Sequence, residues 1–223
     1  LSIDAKIKKL CFVGSIAAIG DSRNGELITE ENEWNKDLDN SGYSITKFGA
    51  EMEVWRASQE DVEVVIVNPG VILGAGFWTT GSGKLFQQVY NRFKYYTEGV
   101  TGFVGVKDVV TAMILLMNSN IKNERFILVS ENKTYKELFF LIADTFGKKR
   151  PGIKIKPWQT TLFWRFSSII TRCTGQEPLL SKYAAKSAHE VSEYSAQKIR
   201  ETINFKFEKI AGVVKEVCHL YTK

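Results

Sequence analysis

The stretch "VEVVIVNPG", Val62 to Gly70, constrains the fold of this chain more than any other. Five of its first six residues are Val or Ile, with no alternation of apolar and polar positions. A strand of that kind is buried on both faces, as in parallel sheets covered by helices on either side. Parallel neighbours need a crossover between them, usually a helix. The preceding text supplies both parts. "KLCFVGS" is a short apolar run ending in small residues, a second buried strand. "YSITKFGAEMEVWRASQE" is a helix, with Ser41 or Asn40 as its cap and apolar residues Ile45, Phe48, Met52 and Trp55 at helical spacing. Between them lies a long polar segment from Ile16 to Gly42, and loops of that length in a compact domain usually have a function or are disordered.

The same alternation continues downstream. "VILGAGFWTTGSG" is glycine-rich and irregular, "KLFQQVYNRFKYY" reads as a helix, and "GFVGV" as a short strand. Asp108 is placed to cap a buried helix "VVTAMILLMNS"; "RFILVS" is a strand; Thr134 caps "YKELFFLIADTFG", which stops at Gly147. After Pro151 the text turns mostly helical. Strands alternating with helices predict an α/β fold, a parallel sheet with helices on both faces, followed by a smaller helical lobe. The expected division is 1–150, with loop 74–98 contributing to the substrate lobe, and 151–223. Trp158, Phe163, Trp164 and Phe166 are expected to pack that second lobe or to form its substrate-facing side.

With 44% hydrophobic residues, the 223-residue chain can build a real core. Its net charge is +5, and the densest basic runs, "KIKK" and "GKKRPGIKIK", read as solvated surface because no nucleic-acid-binding motif accompanies them. Three scattered cysteines form neither a disulfide framework nor a CxxC pair, so a reducing cytoplasm is the simplest compartment. The two histidines match no ligand spacing, and no metal is expected. The longest apolar run, Val109 to Met117, is far short of the ~20 residues that span a bilayer. The first residues lack an initiator Met and a signal-peptide layout, and they read as the tail of a helix entering a strand. The chain is therefore expected to begin inside a domain.

Three features fall at one edge of the predicted sheet. Ser15 lies just past the first strand, where a parallel sheet opens into a crevice. Tyr43 and Lys47 are four apart at the start of the next helix and share a face. "NPGVILGAG" leaves the next strand on the same side. A free tyrosine has a pKa of about 10. A nearby ammonium favours the phenolate and lowers that pKa, so the residue can exchange a proton with an alcohol or carbonyl. Ser15 would hydrogen-bond the same oxygen, and Lys47 could also reach the ribose of a dinucleotide. Phe77, Trp78 and Trp34 are candidates to line an apolar pocket for a small-molecule substrate. The YxxxK spacing recurs at Tyr90/Lys94 and Tyr194/Lys198, but neither pair follows a serine-bearing strand.

"FVGSIAAIG", "YSITK", "VVIVNPGVILGAG" and "GFVGVKDVV", in that order, resemble the extended short-chain dehydrogenase/reductase family. That family includes NAD-dependent epimerase/dehydratases, dihydroflavonol-4-reductases and 3β-hydroxysteroid dehydrogenases. The resemblance implies a Rossmann-type fold and NAD or NADP as cofactor. It puts Ser15, Tyr43 and Lys47 at the catalytic positions. Tyr43, Lys47 and the segment Pro69, Gly70, Val71 and Ile72 then meet the nicotinamide end. Asp108 matches a family aspartate that is mainly structural. A homodimer through the tyrosine-bearing helix is also implied.

The chain departs from the family pattern at the glycine-rich turn that binds pyrophosphate after a first strand. That turn is expected upstream of Leu1. Gly99, Gly102 and Gly105 have GxxGxxG spacing without its strand–turn–helix setting, and "GSGK" lacks the rest of a P-loop. Asn68 and Leu73 stand where many epimerases carry Arg and Tyr, which favours an oxidoreductase of secondary alcohols and ketones. The alternatives are a nucleotide-sugar epimerase or dehydratase, and a non-catalytic binding protein that has lost its cofactor site.

Overall fold

The computed structural model describes residues 5–22, 25–37, 40–174 and 182–223; the side chains of 166–174 and 182–184 are outside that description. In chain order the first elements are β1 (Lys9–Val13), α1 (Gly42–Ser58), β2 (Glu63–Pro69), β3 (Val71–Leu73), α2 (Gly83–Tyr90), β4 (Tyr95–Tyr96), β5 (Val100–Gly105) and α3 (Val106–Met117). They are followed by β6 (Glu124–Leu128), β7 (Glu131–Thr134), α4 (Tyr135–Thr145), β8 (Ile153–Lys154), α5 (Pro157–Thr174), α6 (Lys182–Ser187), α7 (Gln197–Ile203) and α8 (Ile210–Tyr221). The helical tail expected before β1 falls largely on residues 1–4, outside the described residues.

The chain folds into two compact units, and it crosses between them several times. The first holds 1–74, 102–132 and 192–213. Its centre is a parallel sheet in the order β1-β2-β6, with Cys11 opposite Val65 and Val67 opposite Phe126. Val64 to Val67 are fully buried, as a β-branched run without alternation requires. Helices cover both faces. Val54 and Ala57 of α1 pack with Val64 and Ile66 on one side. Val109, Ala112 and Leu116 of α3 pack with Val65, Val67 and Phe126 on the other. Lys9 of the "KIKK" run is bound to structure: its ammonium donates to the carbonyls of Leu116 and Ser119 at the end of α3, both at 2.7 Å.

Several local expectations need correction. The stripe Ile45, Met52 of α1 faces solvent, and the buried positions are Ser44, Glu51, Val54 and Ala57. Val71–Leu73 is a strand rather than irregular, and it pairs in parallel with Phe103–Gly105. Asp108 does not cap α3, because that helix starts two residues earlier; its carboxylate accepts the Glu208 amide at 3.0 Å. α3 is only half buried: Val110, Ile114 and Leu115 are exposed.

The second unit holds 75–101, 133–191 and 214–223. α2 ends at Tyr90, and Arg92 takes a left-handed φ of 62°, so Lys94 and Tyr95 leave the expected helix. Tyr90, Phe146, Tyr221 and Trp78 form an aromatic cluster with centroid separations of 4.7 to 5.5 Å. β4 and β8 pair in parallel. Thr134 and Glu137 make the reciprocal capping box of α4. Trp158 and Phe163 of α5 are 63% and 53% exposed, against the expectation that they pack inside; the Phe166 side chain lies outside the described residues. Among the described residues no helix is long and apolar enough to cross a membrane.

Candidate active site

β1 ends at Val13, and the Gly14 amide continues its pairing by donating to the Val67 carbonyl at 2.8 Å. A Cβ at Gly14 would lie 2.8 Å from Asn68 Nδ2 and 3.1 Å from Glu51 Oε2, so a side chain has no room there. Ser15 then caps a short 3-10 turn, Ile16–Ala18, its Oγ accepting the Ala17 amide at 3.2 Å. Ser15 is 9% exposed.

Ser41 opens α1 by accepting the Ser44 amide at 2.9 Å, which sets where the helix starts and therefore where its first turns point. Lys47, in the second turn, donates from Nζ to the Val13 carbonyl at 3.4 Å. Lys47 thus reaches the C-terminal end of β1, two residues before Ser15. Tyr43, one turn before Lys47, is 59% exposed, and no hydrogen bond ties its hydroxyl to either of them. Pro69 and Gly70 are buried at the end of β2, whereas Val71 and Ile72 are half-buried at the start of β3. The Gly70 amide donates to the Leu128 carbonyl at 3.1 Å, and a Cβ there would sit 2.3 Å from the Gly102 carbonyl oxygen.

Trp34 stacks on Phe48 of α1 at 4.6 Å. Phe77 and Trp78 belong to the second unit; Phe77 is 81% exposed, and Trp78 packs edge-on against Tyr221. The other YxxxK pairs are used for packing. Tyr90 is in the aromatic cluster, and Lys198 pairs with Glu124 over the Phe126 ring. Gly99, Gly102 and Gly105 lie just before and within β5, which rules them out as a phosphate turn.

A buried polar network beneath Ser15 was not picked out by sequence reasoning. Asn68, fully buried, donates from Nδ2 to the Ser15 carbonyl at 3.0 Å and to Glu51 Oε2 at 2.7 Å. Glu51, equally buried, is paired with Arg125 at 3.3 Å and accepts from Trp55 Nε1 at 3.4 Å. Arg125 Nε donates to the Glu30 carbonyl at 2.9 Å, and Glu30 Oε1 accepts the Ile127 amide at 2.8 Å. Burial pushes the Glu30 carboxyl above the usual range, and the Ile127 amide opposes that shift. Asn68 Oδ1 is buried without a partner. The available signals were a lone Asn in a Val-rich strand and an acidic residue four after Lys47.

The arrangement places the Ser15 hydroxyl and the Lys47 side chain at one sheet edge. Lys47 uses one of its three donors on Val13 and keeps two for a ribose diol. The residues present therefore fit the ribose and nicotinamide end of a dinucleotide. Among the described residues no three acidic, His or Cys side chains cluster as a metal site.

A profile described as the NAD dependent epimerase/dehydratase family matches residues 2–129. Sterol demethylase protein B of Methylococcus capsulatus is 26% identical over 157 residues, 69% of this chain and 47% of that protein. Cinnamoyl-CoA reductase 1 of Arabidopsis thaliana is 26% identical over 154 residues, 64% of this chain and 44% of that protein. The chain thus spans about half the length of these curated relatives. Among solved structures, a nucleoside-diphosphate-sugar epimerase from Pseudomonas aeruginosa superposes with a TM-score of 0.80 at 16% identity, covering 99% of this chain and 68% of that one. The UDP-glucose 4-epimerase of Thermus thermophilus in complex with NAD gives 0.73 at 16% identity, covering 99% and 66%. At these identities the structural likeness shows the fold.

Proposed function

The chain belongs to the NAD-dependent epimerase/dehydratase family, and from that premise we propose that it is the part of an NAD(P)-dependent oxidoreductase that interconverts a secondary alcohol and a ketone. The observation that carries this reading is Lys47 reaching the end of β1, where Ser15 follows two residues on, with Tyr43 one helical turn before Lys47. The cofactor is NAD or NADP, as the family description and the NAD-bound structural neighbour support. A nicotinamide supplies or accepts the hydride. Tyr43 donates a proton to the carbonyl oxygen in reduction and removes it in oxidation. Lys47 places positive charge beside the phenolate as it forms and holds the ribose hydroxyls. Ser15 hydrogen-bonds the same oxygen, and its turn is fixed from below by Asn68. Pro69, Gly70, Val71 and Ile72 form the backbone wall toward the nicotinamide. Phe77, Trp78 and Trp34 remain proposed substrate contacts.

In the full-length enzyme, Tyr43→Phe is expected to lower kcat by about 10²- to 10⁴-fold with the fold unchanged by circular dichroism; the 223-residue piece alone is expected to be inactive. Near-normal turnover of the ketone would remove the assignment. Lys47→Ala should also weaken NAD(P)H binding in a fluorescence titration, and an unchanged Kd would count against its ribose role. The reductase among the curated relatives favours this reading over an epimerase. Epimerisation would show itself as substrate conversion without net consumption of cofactor.

A further inference from the structure

The proposed chemistry accounts for neither of two features in the second unit. The first is a cleft of about 500 Å³ where the segments after α2 and α4 meet, lined by Arg92, Lys94, Lys148, Lys149, Arg150 and Ile153, with no acidic side chain in its wall. Arg150 is held by Asp144 through two 2.7 Å hydrogen bonds, and Lys148 lies over the Tyr90 ring at 4.5 Å. Arg92, Lys94 and Lys149 make no ion pair among the described residues. The basic run "GKKRPGIKIK" is therefore folded around a concave surface that two further cations complete.

The second feature follows directly in the chain. α5 begins three residues after β8 and exposes Trp158, Leu162 and Phe163 at 63%, 49% and 53%. Trp158 and Leu162 are one turn apart on a single face. The opposite side is anchored by Thr160, buried, whose hydroxyl lies 3.0 Å from His189 Nε2. Ile153, on the rim of the cleft, is 49% exposed. Trp158 is five positions further along, so the chain keeps them within about 18 Å.

We propose that this face of the second unit docks on an anionic membrane surface, with the cleft's cations on lipid phosphates and Trp158 and Leu162 in the boundary between headgroups and acyl chains. Aromatic and aliphatic side chains beside unpaired Lys and Arg match the composition of interfacial helices. A negative leaflet attracts such cations within a Debye length. The chain lies on the surface, since no described helix is long enough to cross it. A nucleic acid would use the cations but would leave Leu162 and Ile153 without a role. A second copy would bring identical cationic clefts together across a two-fold axis, where they repel.

The test is co-sedimentation of the purified chain with phosphatidylcholine vesicles, with and without about 30% phosphatidylserine. Binding is expected only with phosphatidylserine and should weaken with added salt. Lys94→Gln with Lys149→Gln should weaken it about 30-fold. Trp158→Ser with Leu162→Ser should weaken it about tenfold or more. All four side chains are exposed, and circular dichroism should show both variants folded. Absence of binding, or equal binding to neutral vesicles, would overturn the proposal. So would loss of binding in the lysine variant alone, which would mark a general polyanion site such as one for nucleic acid. A fall from dimer to monomer mass in the Trp158 and Leu162 variant, by light scattering without lipid, would mark a self-interface and overturn it as well.

Discussion

Glu51 and Asn68 show how a residue's role here depends on partners distant in the chain. Each is fully buried, and together they connect Arg125 to the carbonyl of Ser15. Asn68→Asp would set a second carboxylate against Glu51, and an uncompensated buried charge costs about 3–5 kcal/mol. Adding Glu51→Gln restores one amide facing one carboxylate. It does not restore the bond to the Ser15 carbonyl, so urea unfolding should show partial recovery. Glu30 gives a pH test. Its carboxyl is raised by burial, so its contribution to stability is full below about 4.5 and is lost as pH rises through the raised value. Glu30→Gln keeps an oxygen for the Ile127 amide and removes the charge. Its urea midpoint should match that of the parent in acid and exceed it at neutral pH. A gain that appears only in acid would refute this account.

At the scale of elements, local chemistry was readable and burial was less so. Ser41 and Thr134 cap α1 and α4 as their positions predict, because a cap is decided within four residues. Thr134→Ala should lower stability by about 1 kcal/mol in a denaturant titration. The β-branched run gave β2 directly. The buried face of α1 could not be read in the same way. Counting apolar residues selects Ile45 and Met52, but Ser44 and Glu51 are buried instead: Ser44 is satisfied by the Ser41 cap, and Glu51 by Asn68 and Arg125. α2 stops at Tyr90, where its ring joins Phe146 and Tyr221, residues far along the chain.

At the scale of the whole molecule, apolar surface is exposed on two helices. α1 shows Ile45 and Met52, and α3 shows Val110, Ile114 and Leu115. If α1 forms the homodimer that the family resemblance implies, Ile45→Glu should reduce the mass by light scattering to that of a monomer. Ile114→Lys should leave that mass unchanged and raise the concentration at which aggregation begins. The sequence by itself determined the α/β class, the order of strands and helices around β2, and the candidacy of Ser15, Tyr43 and Lys47. Each of these rests on periodicity, capping or short spacing, which are local. Only the tertiary structure decided that the chain crosses repeatedly between two units, that Glu51 lies inside, and that Trp158 and Phe163 lie outside. Burial depends on which distant segment arrives to cover a side chain, and nothing in a residue's own neighbourhood encodes that arrival.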